Sequence, residues 1–314
     1  MSNEKDAKVI SFVNMKGGVA KTTLAINIAK ELSKKHRVLV IDMDPQFNAT
    51  QSLLFYKVSI EENTHYKKDS DTEIDVASDR FLQASFNNDV KSSRFYSELS
   101  TKGCTAHAIF SDSSLVNEKT LDDFLIDICE NLKLLPGDLE LSNDISGDPF
   151  GKSEALDKFL FTYDIKRLFD YIIVDCSPTW SLLLLSSLSA SDYYIIPSKI
   201  DTYSSLGIDS LESRIDKYIR DPYYIKKHNI NPPKCLGVIF TLTNPDLVVE
   251  KNLKEELIDK YKETYKMNVF ENDFPYVASV SSKFILIDEV RNDKRYKNIV
   301  TPIEKITSEI EDKI

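Results

Sequence analysis

The chain has 314 residues, 42% hydrophobic and 29% charged, with 50 acidic against 40 basic side chains and a formal net charge of -10. That balance fits one large α/β domain or two modest ones, and excludes a protein coated in basic surface, so any nucleic-acid contact has to come from a local patch. No apolar run approaches the ~18–20 residues of a membrane span, MSNEKDAK does not read as a signal peptide, and the scattered Cys104, Cys129, Cys176 and Cys235 form no zinc or disulfide pattern, as expected of a cytosolic chain.

The β-branched run KVISFVN (8–14) predicts a buried strand. The loop NMKGGVAKTT (14–23) follows, and Leu24, Ile28, Ala29 and Leu32 then recur at helical spacing. RVLVIDMD (37–44) is a second strand, ending in Asp42 and Asp44. Strand, loop, helix and strand make a βαβ unit, hence a parallel sheet. Residues 55–102 break this rhythm. They are polar and mixed in charge, and read as a surface excursion, partly ordered at best, within an insertion over 55–115. A helical pattern over 120–131, the strand LKLLPG (132–137), an amphipathic helix over 153–170 and the strongly buried strand DYIIVDCSP (170–178) come next. A helix over 181–189, a strand at 192–198, a helix over 205–220, a strand at 235–243 and helices near 247–264, 281–291 and 302–313 complete the chain. The expected fold is α/β, a single domain over 1–314 built on a doubly wound, mostly parallel sheet of about seven or eight strands.

In such sheets ligands bind beyond the carboxyl ends of the strands. Three of those ends carry chemistry here: the glycine-lysine loop, the pair Asp42 and Asp44, and Asp175. The loop departs from the pattern G-x-x-x-x-G-K-[ST], because Met15 and Ala20 occupy its two glycine positions and an extra lysine, Lys16, stands near its front. Gly17 and Gly18 let backbone N–H groups approach phosphate oxygens, with Val19 and Ala20 leading into a helix start that adds its own N–H groups and partial positive charge. Lys21 then reaches the β- and γ-phosphates, Thr22 offers a hydroxyl to Mg²⁺, and Thr23 is placed for a further phosphate contact. Asp175 suits a carboxylate that anchors magnesium through water. Asp44 is a candidate for orienting an attacking water, and Asp42 for the magnesium site or a switch. Taken singly, each motif also has a plainer reading: a helix-starting turn, or carboxylates capping the turn at Pro45.

The segments KGGVAKTT, VLVIDMDPQFNAT and DYIIVDCSPTWSLLLLSSLSASDYYIIP, in that order, resemble the ParA/Soj branch of the deviant Walker-A ATPases. That group also contains the MinD septum-site regulators and the nitrogenase iron proteins. The likeness covers residues 8–54 and about 132–243. It implies a P-loop ATPase using ATP and Mg²⁺, in which two subunits sandwich two nucleotides and Lys16 crosses to the partner's phosphates as a catalytic charge alongside Lys21 and Asp44. It also implies an adenine site near Leu242, Asn244 and Pro275, non-specific DNA binding by the ATP dimer, and a centromere-binding partner that stimulates hydrolysis on the nucleoid. Relatives carry arginines after the strand at 235–243 and again after the proline matching Pro275. Here Asp246 and Ser279 stand there, so the expected DNA contacts move to Lys251, Lys254, Lys283, Arg291, Lys294, Arg295 and Lys297. Residues 214–234 are also locally basic, with Arg214, Lys217, Arg220, Lys226, Lys227 and Lys234 against Asp216 and Asp221.

Other classes make different demands. A MinD-like membrane cycler needs a basic amphipathic C-terminal helix, whereas TPIEKITSEIEDKI sets Ile303, Ile306, Ile310 and Ile314 beside an acidic-leaning face. An iron–sulfur carrier needs paired cysteines at a dimer axis. Positioning of another cytosolic cargo by the same mechanism stays open. With about seven residues before the first strand, no sequence-reading N-terminal segment is expected.

Overall fold

The computed structural model describes residues 6–61, 79–111, 119–143, 152–228, 231–244, 247–277, 286–292 and 294–314. Its strands are β1 (Lys8–Phe12), β2 (Val38–Met43), β3 (Ile126–Cys129), β4 (Leu132–Leu135), β5 (Tyr171–Cys176), β6 (Tyr193–Ser198), β7 (Lys234–Thr243) and β8 (Phe274–Pro275). They form one eight-stranded sheet in the order β3-β4-β2-β5-β1-β6-β7-β8. All neighbours run parallel except β3 and β4. Strand β1 lies between β5 and β6, where the direction of winding reverses, and this opens a crevice beyond the carboxyl ends of the central strands.

Parallel strands are covered on both faces, so their residues are apolar almost without alternation. All six residues of β2 are buried. Helices α1 (Lys21–Leu32), α2 (Asn48–Glu61) and α9 (Lys297–Lys313) cover one face through Leu24, Ile28, Leu53, Ile303 and Ile306. On the other face lie α4 (Ala155–Thr162), α5 (Leu182–Ala190), α6 (Thr202–Tyr218) and α8 (Val248–Tyr265), contributing Leu156, Leu184, Ile208 and Leu257. The remaining helices are α3 (Asp79–Thr101) and α7 (Pro222–His228).

Several local expectations change. The stretch 120–131 forms only one helical turn, Leu121–Phe124, and then β3. Ile126 and Ile128 point inward while Asp127 is exposed, so a period-two pattern pairing with β4 outcompetes the helical reading of the same apolar residues. The helix over 153–170 is interrupted at Asp164, whose φ of 51° ends one helix and starts the turn Ile165–Leu168. Between β2 and β3 the chain is largely helical where described, in place of a loose excursion. The apolar side chains Leu53, Leu54 and Tyr56 bury α2, and Phe95, Tyr96 and Leu99 seat α3 against the same core. Residues 62–78 lie outside the described residues, as do 281–285 of the helix expected near 281–291, of which Ile287–Val290 is a 3₁₀ turn.

Candidate phosphate-binding site

The loop after β1 is fixed from both sides before any ligand is considered. Asn14, fully buried, donates from Nδ2 to the Pro197 carbonyl at 2.7 Å, and its Oδ1 accepts the Lys16 N–H at 2.8 Å. The Thr241 hydroxyl donates to the Val19 carbonyl at 3.0 Å, which ties the loop to β7. Between these anchors Gly17 and Gly18 are exposed, and a Cβ on either would meet nothing within 4 Å. Open space over bare backbone is what close approach by a phosphate requires. Ala20 caps α1 in the left-handed region, at φ 59°, with no side-chain hydrogen bond to the first turn. The amides that open α1 therefore lack a capping side chain and face the crevice, a ready anion site.

Lys21 is buried, with Nζ 3.5 Å from the Lys16 carbonyl. Burial lowers its pKa, opposed chiefly by the charges of Asp175 and Asp44. Thr22 and Thr23 follow, half-buried on the first turn. Asp175 pairs in register with Asp42 across β5 and β2, at the strand ends. It is completely buried and neither carboxylate oxygen has a hydrogen-bond partner. Burial, then the neighbouring Asp42, push its pKa well above the ordinary range, while the Thr22 hydroxyl, near it but short of hydrogen-bond geometry, and the Lys21 ammonium draw it back. Asp44 is raised as well, by burial, against the Gln46 amide that it accepts at 3.0 Å and against Lys21. Asp175 and Asp44 thus share one lysine, with Asp42 beside Asp175, a deficit of positive charge that a divalent cation would cure.

The donor set fits magnesium. No group of three metal-ligating side chains exists among the described residues, so there is no all-protein cage. Magnesium instead keeps several waters and takes nucleotide phosphates as ligands, needing only a hydroxyl such as Thr22 and an anchoring carboxylate such as Asp175. Asp42 is already hydrogen-bonded. Its Oδ2 accepts the Thr50 N–H at 2.8 Å and the Thr50 hydroxyl at 2.7 Å, and its Oδ1 accepts the Asp44 N–H at 3.2 Å. Thr50 Oγ1 in turn accepts the Gly137 N–H at 2.8 Å. Burial raises the Asp42 pKa to about 7 against these bonds. Asp42 therefore organises the loop after β2, and Asn14 and Thr50 join the site as partners that the motifs did not reveal.

Lys16 leaves its own loop. Its ammonium pairs with Asp201 Oδ2 at 2.6 Å and reaches Ser204 Oγ at 3.3 Å, at the N-terminus of α6, and both charged side chains remain about one third exposed, at 33% and 34%. Leu242, Asn244 and Pro275 lie together where β7 meets β8. Leu242 has a φ of 54°, Pro275 pairs with Thr243, and the Asn244 N–H donates to Glu250 at 2.8 Å.

A family model described as an AAA domain matches residues 7–230. The chain belongs to that family, in its ParA/Soj branch. An uncharacterised protein of Methanocaldococcus jannaschii is 29% identical over 81% of this chain and 80% of its own length. The sporulation initiation inhibitor Soj of Bacillus subtilis is 25% identical, covering 85% of this chain and 84% of Soj. A Borrelia burgdorferi protein assigned to plasmid partition, solved with AMPPNP, shares the fold at a TM-score of 0.65 and 23% identity, with 99% of this chain and 100% of that one covered.

The basic residues of this ParA/Soj-type chain divide in two. Arg291 is enclosed by Glu31, Glu304 and Asp288, and Lys254 pairs with Asp273 at 2.5 Å, so both answer to carboxylates within the chain. Arg220 is held by Glu212, Asp216 and the Tyr194 hydroxyl, and Arg214 and Lys217 lie over the rings of Trp180 and Tyr218. Lys251, Lys294 and Lys297 are exposed, as are Lys226 and Lys234. Asp246, Ser279 and Lys283, with the side chains of Lys227 and Arg295, lie outside the described residues.

Proposed function

We propose that this chain is an ATP-driven partition switch. It binds ATP with Mg²⁺ at the loop after β1, closes into a homodimer around two nucleotides, and holds DNA without sequence preference in that state. Hydrolysis is slow until a centromere-binding partner stimulates it, and the cargo is a plasmid or chromosome on the nucleoid. The names of the ParA and Soj relatives support the biological setting. The observation that carries the reading is the division of labour between two lysines. Lys21 lies buried among the carboxylates of its own site, whereas the Lys16 ammonium stands outside that site, part-exposed and paired with Asp201, a partner it would exchange for a second subunit's phosphates.

In this scheme the open amides of Gly17 to Thr23 and Lys21 bind the phosphates, and Val19 and Ala20 shape the turn beneath them. Leu242, Asn244 and Pro275 flank the adenine. Bound magnesium supplies charge neutralisation on the phosphates, with Thr22 and Asp175 holding it. Asp44 orients the attacking water, and Lys16 of one subunit stabilises charge developing on the other subunit's nucleotide. Lys251, Lys294 and Lys297 are the DNA contacts of choice, since Lys254 and Arg291 are held internally. The isoleucines Ile303, Ile306 and Ile310 that a membrane-cycling helix would present are buried against the core, and no described helix is long and apolar enough to cross a membrane.

The test is ATP-dependent dimerisation by light scattering, with DNA retention measured across a salt series. The wild-type chain is expected to dimerise with ATP and to bind duplex DNA of any sequence, with affinity falling steeply as salt rises. Asp44→Ala is expected to dimerise without turnover, and Lys16→Ala to lose turnover and weaken the dimer. Normal hydrolysis by both variants would sink the site assignment, and an ATP dimer that ignores DNA at low salt would sink the partition reading.

A further inference from the structure

The loop between β2 and α2 carries Asp44, and it contains a bulky residue in an unfavourable backbone conformation. Phe47 has a φ of 39°, in the left-handed region that aromatic side chains rarely enter. Such a conformation persists only where its surroundings over-determine it, and here three sides do so. The Phe47 N–H donates to the Asp44 carbonyl at 2.8 Å, and the Phe47 carbonyl accepts the Gln51 N–H at 3.0 Å, so the strained residue is hydrogen-bonded to the very residue proposed to orient water. Behind it the chain passes so closely that a Cβ on Gly137 would lie 3.0 Å from both Phe47 Cβ and Asp42 Cγ. On the remaining side the Phe47 ring stacks on Tyr96 of α3, with centroids 4.6 Å apart and planes 9° from parallel. Helix α3 is fastened beside the same loop, because Ser100 and Thr105 donate to Asp138 at 3.2 and 2.7 Å, one residue after Gly137.

We propose that Tyr96 is a positioning residue for hydrolysis: by stacking on Phe47 it holds the Asp44 loop in its working conformation. The inference rests on the role proposed above for Asp44. Both rings are only half-buried; Tyr96 also helps seat α3 on the core, and through the stack it bears on the loop.

The experiment compares steady-state ATPase and ATP affinity for wild type, Tyr96→Leu, Tyr96→Phe, Phe47→Leu, the Phe47→Leu/Tyr96→Leu double variant and Asp44→Ala. A displaced catalytic group costs up to about 100-fold per ångström, and a loosened loop is expected to cost on the order of 10-fold. Tyr96→Leu should therefore lower kcat about 10-fold while the Kd for ATP moves less than about 2-fold. Tyr96→Phe should restore turnover, since it keeps the stack. The double variant should be no worse than either single one, as expected of two residues acting as a unit. Full turnover by Tyr96→Leu, parallel losses of kcat and affinity, or failure of Tyr96→Phe to rescue would each overturn the proposal. Asp44→Ala separates the two levels: if it turns over normally the parent reading is wrong, whereas a dead Asp44→Ala beside an active Tyr96→Leu condemns only the role of Tyr96.

Discussion

Ala20 shows how one side chain reports on the loop. It opens α1 at φ 59° and ψ 29°, a conformation in which Cβ crowds the following carbonyl. Glycine adopts it without that penalty, although glycine also gives the unfolded chain more freedom to lose. The two effects leave a net gain of up to about 1 kcal/mol for Ala20→Gly. Urea unfolding should register that gain in the ligand-free chain, and an ATP titration should give equal or tighter binding. A large loss of affinity would show that Ala20 Cβ supports the phosphate loop. The residues that touch phosphate or magnesium in this scheme were legible because they sit within short motifs. Asn14 and Thr50 were not, since their partners Pro197 and Gly137 lie 183 and 87 residues away along the chain.

At the scale of elements, the N-terminus of α6 does two jobs with one carboxylate. Asp201 Oδ1 accepts the Ser204 N–H at 2.7 Å as a helix cap, while Oδ2 holds the Lys16 ammonium. Burial raises the Asp201 pKa, but Lys16 and the Ser204 amide outweigh it, so the carboxyl stays ionised as a counter-ion. In the proposed dimer Lys16 has to leave this partner before it can serve another subunit. Asp201→Asn keeps the capping oxygen and removes the charge, so dimerisation should occur at lower ATP concentration with little change in stability. Asp201→Ala should additionally lose about 1 kcal/mol of helix capping. Dimerisation of Asp201→Asn only at higher ATP would mean that Asp201 works in the closed state. The strands and helices around this site were legible from periodicity, because buried parallel strands and amphipathic helices write themselves plainly. Helix α3 and strand β3 were not: α3 is polar over much of its length, and Leu121, Phe124, Leu125 and Ile128 keep helical spacing while Ile126 and Ile128 keep strand spacing, a tie that β4 breaks as a partner.

For the whole molecule, the sheet concentrates negative charge at one point and leaves it uncompensated. β2 and β5 end side by side with Asp42 opposite Asp175, Asp44 follows one residue beyond β2, and Lys21 is the cation among them. A buried carboxylate with two orphan oxygens is a poor choice for stability and a sensible one for holding a hydrated cation. Asp175→Asn should separate these two demands. Removing the charge relieves its desolvation and its repulsion from Asp42, so the ligand-free variant should melt at the same temperature as wild type or above it. Ligand that binds only the folded state adds about 2.7 kcal/mol at 100-fold excess over Kd, which is several degrees for a chain of this size. Wild type should show that upward shift with ATP and Mg²⁺ together, a smaller one with ATP alone, and Asp175→Asn should lose most of the difference between the two. If Asp175→Asn instead melts well below wild type without ligand and responds to magnesium as wild type does, the carboxylate is a structural member of the sheet and the cation is held elsewhere.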